Sequence, residues 1–208
     1  MAGQIANAAP APQHFVVAPL DAYARRITTG LAYLGGLLML PLLFAYLANL
    51  RWNGLLVPVA FAVAVACFLL LTYAGQPQRY ELTADALIVR RRIWRALRIP
   101  LDQITGVSLA TTLSDVPMRQ VRFAFNAGCF GYQGPFRLLP YGEVFFLATN
   151  RARLIAVARH ARPPLILSPD GPRAFITALN ELRTQRAIER LTKPKGPPND
   201  ALSPPPPA

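Results

Sequence analysis

Two long stretches without a formal charge dominate the first third of the chain. One runs from Ile27 to Leu50, ITTGLAYLGGLLMLPLLFAYLANL, and the other from Gly54 to Ala74, GLLVPVAFAVAVACFLLLTYA. At about 1.5 Å rise per residue each spans roughly 30 Å, the hydrocarbon thickness of a bilayer. Uncharged runs of this length predict transmembrane helices, here over about 27–50 and 54–74. Only Arg51, Trp52 and Asn53 lie between them, so the pair is expected to form an antiparallel hairpin. Small residues four apart (Ala32 and Gly36, Ala60 and Ala64, Ala62 and Ala66) offer a packing seam, and Pro41 is expected to kink the first helix.

From Gly75 onward the apolar period shortens to two. Strands are predicted near 78–83, 86–92, 95–100, 104–110, 118–126, 143–150, 153–159 and 164–168, with hairpin turns at Ala84-Asp85 and Asn150-Arg151. The period then changes again. Ser168-Pro169-Asp170-Gly171-Pro172 reads as a helix start, and Phe175, Ile176, Leu179 and Leu182 follow at helical spacing, predicting a helix over about 170–190. The last residues, TKPKGPPNDALSPPPPA, are proline-rich and poor in large apolar side chains, which predicts disorder. The resulting layout is a disordered cytoplasmic leader (1–24), a two-helix hairpin (25–75), a β-rich domain with one terminal helix (76–191) and a disordered tail (192–208).

Charge adds a direction to this picture. The chain carries 22 Lys and Arg against 10 Asp and Glu, a net charge of +12, with Arg25 and Arg26 before the first run and Arg79, Arg90, Arg91 and Arg92 after the second. The positive-inside bias then puts both termini in the cytoplasm of a bacterial inner-membrane, multi-pass protein. Neither run holds an ionisable residue of the kind an ion or proton path needs, so the hairpin reads as an anchor. The two cysteines, Cys67 and Cys129, have no metal-type spacing.

The order of elements resembles the bacterial PH-like domain proteins, in which a PH-type domain follows a transmembrane hairpin. The residues that carry the likeness are YELTADALIVRRR from Tyr80, IPLDQITGV at 99–107, GCFGYQGPF at 128–136, GEVFFLATNRARLIAV at 142–157 and ILSPDGPRAFITAL at 166–179. The resemblance covers roughly residues 78–185. It implies two nearly orthogonal antiparallel sheets, about seven strands in all, closed by a C-terminal helix. It implies little about activity, because such folds bind lipids, peptides or proteins.

Three groups of residues are candidates for chemistry. In GCFGYQGPF, Gly128, Gly131 and Gly134 lack the Gly-Lys-Ser/Thr ending of a phosphate loop, and no helix opens after Pro135 and Phe136. The glycines are therefore read as backbone bends in a sheet, with Tyr132 as a possible partner contact. Arg90, Arg91, Arg92, Trp94, Arg95 and Arg98 form a basic hairpin that suits an anionic lipid surface, against the plainer reading of a solvated strand pair. Catalysis has little support. His14 and His160 are isolated, Cys129 has no base beside it, and Asp102, Asp115 and Glu143 are dispersed. No cofactor, metal, small-molecule substrate or specific nucleic acid is implied. The expectation is a non-enzymatic, membrane-anchored binding module, an adaptor for a protein partner or for a second copy of itself, with sensing of an anionic lipid surface as the alternative.

Overall fold

The computed structural model describes residues 12–47, 56–114, 121–139 and 141–192. Ten strands form two sheets. The first sheet contains β1 (Gln13–Val16), β2 (Pro77–Leu82), β3 (Ala86–Arg91) and β4 (Leu97–Pro100), in that order and antiparallel throughout. The second contains β5 (Ile104–Leu109), β6 (Val121–Gly128), β7 (Gly131–Leu138), β8 (Gly142–Ala148), β9 (Ile155–Arg159) and β10 (Arg162–Leu167). Its spatial order is β5-β9-β10-β8-β7-β6, and only the β8/β10 pair is parallel. The helices are α1 (Ala22–Leu47), α2 (Leu56–Gly75), the single turn α3 (Thr111–Ser114) and α4 (Pro172–Thr192).

Period-two alternation explains how one chain fills two cores. Tyr80 and Leu82 of β2 and Leu87 and Val89 of β3 face Leu147, Ile155, Val157, Leu165 and Leu167 of the second sheet. Phe175, Leu179 and Leu182, one face of α4, close that core. On the other side of the second sheet, Phe136, Phe146, Leu154 and Ile166 pack beneath Leu113 of α3 and Ala24 of α1. The strands expected between 78 and 168 appear within a few residues of their predicted bounds. The two that were not expected are β1 and β7.

A buried polar node joins the layers. The Tyr80 hydroxyl donates to the Leu147 carbonyl at 3.0 Å and accepts the Ser168 N–H at 3.1 Å. The Thr149 N–H donates to Ser168 Oγ at 2.7 Å, and the Thr149 hydroxyl donates to the Ala18 carbonyl. Ala18 N–H returns a bond to the Ser168 carbonyl at 2.9 Å. Ser168 therefore does not cap α4, as its place before the helix suggested. It is spent inside, and α4 begins four residues later at Pro172, which suits a first-turn position.

The N-terminal segment departs from expectation as well. The leader predicted over 1–24 is ordered from residue 12, and residues 1–11 lie outside the described residues, as does the tail from 193. β1 pairs along β2, with Phe15 against Phe175 at a centroid distance of 5.0 Å. Asp21 then caps α1. Its Oδ1 accepts the Ala24 N–H at 2.7 Å, and its Oδ2 accepts the Tyr132 hydroxyl at 3.0 Å and the Arg151 N–H at 3.1 Å.

The transmembrane hairpin is corrected. Among the described residues no helix is long and apolar enough to cross a membrane, which also removes the basis for a multi-pass inner-membrane location. The physical reason lies at the helix roots. The first turns of α1, including charged Arg25 and Arg26, sit on the β domain through Ala24 and Thr28. The last turn of α2, Thr72 to Gly75, is likewise embedded. Leu56 to Leu71 leaves only about 24 Å of rise, short of the roughly 30 Å of a bilayer core. The two helices do pack on each other, with Gly35 facing Val65 and Ala62 buried, so the seam runs one residue away from the expected Gly36. The expected turn at Arg51-Trp52-Asn53 lies outside the described residues.

Tyr80→Phe is expected to lower the domain's stability by about 1–3 kcal/mol, because it strands the buried Ser168 N–H and Leu147 carbonyl. Thermal unfolding of the full chain measures this, and an unchanged midpoint would mean that the node contributes nothing net.

Candidate functional site

The segment GCFGYQGPF is the hairpin between β6 and β7. Gly128 pairs with Gly131 across a two-residue turn made by Cys129 and Phe130. All three glycines have positive φ, at 135°, 112° and 93°, and Phe130 joins them at 52°. A Cβ on Gly131 would stand 2.6 Å from the Ala148 carbonyl oxygen. The bend is therefore structural, as its glycine spacing suggested, but what it builds was not foreseen. It is the socket for both long helices. Asn126 folds its amide over the turn, accepting the Cys129 N–H at 3.0 Å and donating to the Cys129 carbonyl. The Phe130 N–H donates to Thr28 of α1 at 2.8 Å. The Gln133 amide donates to the Thr72 carbonyl of α2 at 2.9 Å, and Cys129 Sγ lies 3.3 Å from the Thr72 hydroxyl. Tyr132, the expected partner contact, is buried, and its hydroxyl is engaged by Asp21. Burial and the Asp21 charge push that phenol well above its ordinary range. The residue holds α1 in place and offers no surface to a partner.

The arginine hairpin spans β3, its turn and β4. Arg90 Nε lies 3.1 Å from both oxygens of the buried Glu81 carboxylate, which Arg79 also contacts at 2.8 Å. Arg91 Nε donates to the Arg95 carbonyl, with its guanidinium over the Trp94 ring. Arg92 stacks on Tyr73 at 4.5 Å and donates to its hydroxyl at 2.9 Å. The main chain of the turn is committed too. Ile93 N–H and Trp94 N–H both donate to the Ala74 carbonyl, and Arg92 N–H donates to the Gln76 carbonyl. These bonds satisfy carbonyls at the end of α2, which has no basic residue in its own last turn, and Arg92 brings positive charge to that negative helix end. Three of the six residues, Arg90, Arg91 and Arg92, already have partners in the fold, although Arg90 and Arg92 are themselves exposed. Ile93, Trp94, Arg95 and Arg98 remain exposed.

The carboxylates are distributed as partners of arginine. Glu143 pairs with Arg137, Asp170 with Arg153, Asp85 with Arg186, and Asp102 with Arg190 at 3.6 Å. The Arg186 guanidinium holds the Asp85 carboxyl below its usual range. Asp115 lies outside the described residues. Burial raises the Cys129 thiol, which works against its ionisation and use as a nucleophile. Among the described residues no group of three or more His, Cys, Asp or Glu is placed to hold a metal ion.

One surface was not singled out from the sequence. β6 is an edge strand, and on one face it presents Phe123 and Phe125, 55% and 56% exposed. Gly134 makes room for Phe125, whose Cβ would lie 2.9 Å from any Cβ placed there. Phe123, Pro135, Phe136, Arg137 and Glu143 line a groove of about 370 Å³ beside the strand. The sequence signal was misleading, because in Phe123-Ala124-Phe125 the small residue turns toward the core and the large ones turn outward.

Residues 78–183 match the bacterial PH domain family. No curated protein and no solved structure matches the chain. The matched region takes in both sheets except β1, together with the first half of α4.

Two measurements follow. Gly131→Val should lower the melting temperature by several degrees, since both the left-handed φ and the Ala148 carbonyl oppose a side chain. Gly142→Ala, with φ of 78° but open space around it, should lose less, about 1 kcal/mol. In the native chain a maleimide should label exposed Cys67 and spare Cys129 at neutral pH, with mass spectrometry of the peptides as the readout.

Proposed function

The chain belongs to the bacterial PH domain family, and from that premise we propose that it is a non-enzymatic binding module, an adaptor that docks another protein on the β6 edge. The observation that carries this reading is the pair Phe123 and Phe125 on a strand edge that no other strand pairs with among the described residues. Native proteins usually blunt such edges with charge, proline or a covering element. A long edge with two outward phenylalanines favours strand addition, in which main-chain bonds provide affinity and alternate side-chain pockets provide selection. The groove beside Phe123, fenced by the Arg137–Glu143 pair, suits one apolar side chain of an added strand. The absence of catalysis is part of the proposal, and the pairing of the carboxylates with arginine and the raised Cys129 thiol support it.

Binding to an anionic lipid surface through the arginine hairpin is less well supported. Arg90 and Arg92 already have acceptors, and the main chain of the turn is used to close α2. What a surface could meet without competing for those bonds is Ile93, Trp94, Arg95 and Arg98.

The experiment places a photo-crosslinking phenylalanine analogue at position 123, and separately at 94, in the full chain expressed in its own cell. Position 123 should yield one discrete protein adduct, either a partner or a second copy. That adduct should be lost with Phe125→Asp and kept with Arg95→Ala/Arg98→Ala. A chain that gives no adduct at 123, yet sediments with anionic vesicles in a manner abolished by the Arg95/Arg98 changes, would replace the adaptor reading with the lipid one.

A further inference from the structure

A second surface lies at the far end of α4. Arg183, Arg186 and Arg190 recur three and four apart, which aligns them on one face of the helix. The same side of the helix, nearer its start, carries Phe175, Ala178, Leu179 and Leu182, which are buried in the core, so the arginines continue that side past the end of the core. Between the arginine face and the turn at Leu101–Gln103 runs a groove of about 410 Å³, lined by the three arginines with Leu101, Asp102, Ile104, Ala187 and Leu191. Leu101 and Ile104 belong to the main core, so the floor is rigid and apolar, whereas Leu191 overhangs the rim and is 87% exposed.

The charges around this groove are unbalanced. Three guanidinium groups line it against one carboxylate, that of Asp102, which lies 3.6 Å from Arg190. Arg183 is fixed by a bond from Nη2 to the Thr105 carbonyl at 2.7 Å. Arg186 is fixed by Nη1, which donates to the Ala84 carbonyl at 2.9 Å and to Asp85. Those bonds hold the guanidiniums in place and leave other N–H groups to spend. One of them is conspicuous: Arg186 Nε is buried and has no hydrogen-bond acceptor among the described residues. Shut off from solvent, that Nε is out of an arriving oxygen's reach, so the terminal N–H groups of the three arginines are what the groove presents. Guanidiniums held in fixed positions suit a carboxylate, and the apolar floor suits an aliphatic side chain next to it.

We propose that this groove is a second docking site, separate from the β6 edge, and that its occupant is an acidic, leucine-type segment of a partner protein. A carboxylate of that segment is received by Arg186 and its neighbours Arg183 and Arg190, while an adjacent aliphatic side chain lies on Leu101, Ile104 and Leu191. The two halves of the site ask for both chemistries at once. A bare anion leaves the floor wet, and an uncharged peptide brings no counter-charge to the guanidiniums.

The test is fluorescence anisotropy of the full chain with a labelled peptide of alternating glutamate and leucine pairs, at physiological salt, beside the glutamine–leucine counterpart. The glutamate peptide should bind and the glutamine one should be at least about tenfold weaker. Arg183→Gln/Arg190→Gln should weaken the glutamate peptide by about tenfold. Arg162→Gln/Arg173→Gln removes the same charge from exposed positions elsewhere and should leave it unchanged. Leu191→Asp, at a rim position that contributes nothing to the core, should weaken binding as well and keeps the test independent of folding. Phe123→Asp should have no effect, so failure here and failure at β6 are read separately. The proposal is overturned if the glutamate peptide does not bind, if the charge-matched control loses as much as the groove variant, or if inorganic phosphate at equal concentration displaces the peptide.

Discussion

The fold depends on a single buried phenol. Tyr80 stands on the first sheet, yet its hydroxyl is satisfied entirely by the second sheet and by the segment that leads into α4. Desolvation drives its ionisation far above the physiological range, so the hydroxyl is always present to donate and to accept. Through Ser168 and Thr149 the same bonds reach Ala18, which sets the path of the N-terminal segment and, three residues later, the capping Asp21. Sheet, sheet, terminal helix and first long helix are thereby placed relative to one another by a handful of bonds in a dry interior, where each is expensive to lose.

The second ordering element is the β6/β7 hairpin. Its glycines permit a turn whose main chain meets Thr28 of α1, while the side chains of Gln133 and Cys129 meet Thr72 of α2. The arginine turn completes the grip by covering the end of α2. Residues that looked like binding chemistry in one dimension are thus used to attach helices to a domain. The excess positive charge does not act as a uniform field either. Much of it is paired with carboxylates or carbonyls, and three of the arginines so held line one groove where α4 leaves the core.

How much was legible can be judged residue by residue. The strands from Tyr80 to Leu167 and the last helix were readable because each has one face in a core and one in water, which imposes periods of two and 3.6. β7 was not readable as a strand, because three glycines and Pro135 look like a loop when the partner strands that tolerate them are unseen. β1 was hidden for a different reason. Four residues are too short to show a period, and Gln13–Val16 are ordered by pairing with β2 and by one aromatic contact some 160 residues away in sequence. Phe123 and Phe125 escaped notice because alternation reveals that two faces differ and not which of them is covered.

The amino-acid sequence by itself determined the alternation of the sheets, the closing helix, the family and the need for a backbone bend at GCFGYQGPF, since these follow from local sterics and from the period of burial. It also showed that Ile27 to Leu50 and Gly54 to Ala74 avoid charge, but an uncharged run records only that water is disfavoured and does not say what replaces it. The tertiary structure decided the rest: that the roots of both helices are bedded in protein, that Tyr132 faces inward, that Arg90 and Arg92 bond Glu81 and Tyr73, and that Arg186 Nε is buried with no acceptor among the described residues. Those outcomes depend on groups far apart in the chain meeting at hydrogen-bond distance, and distance in space is not written in the order of residues.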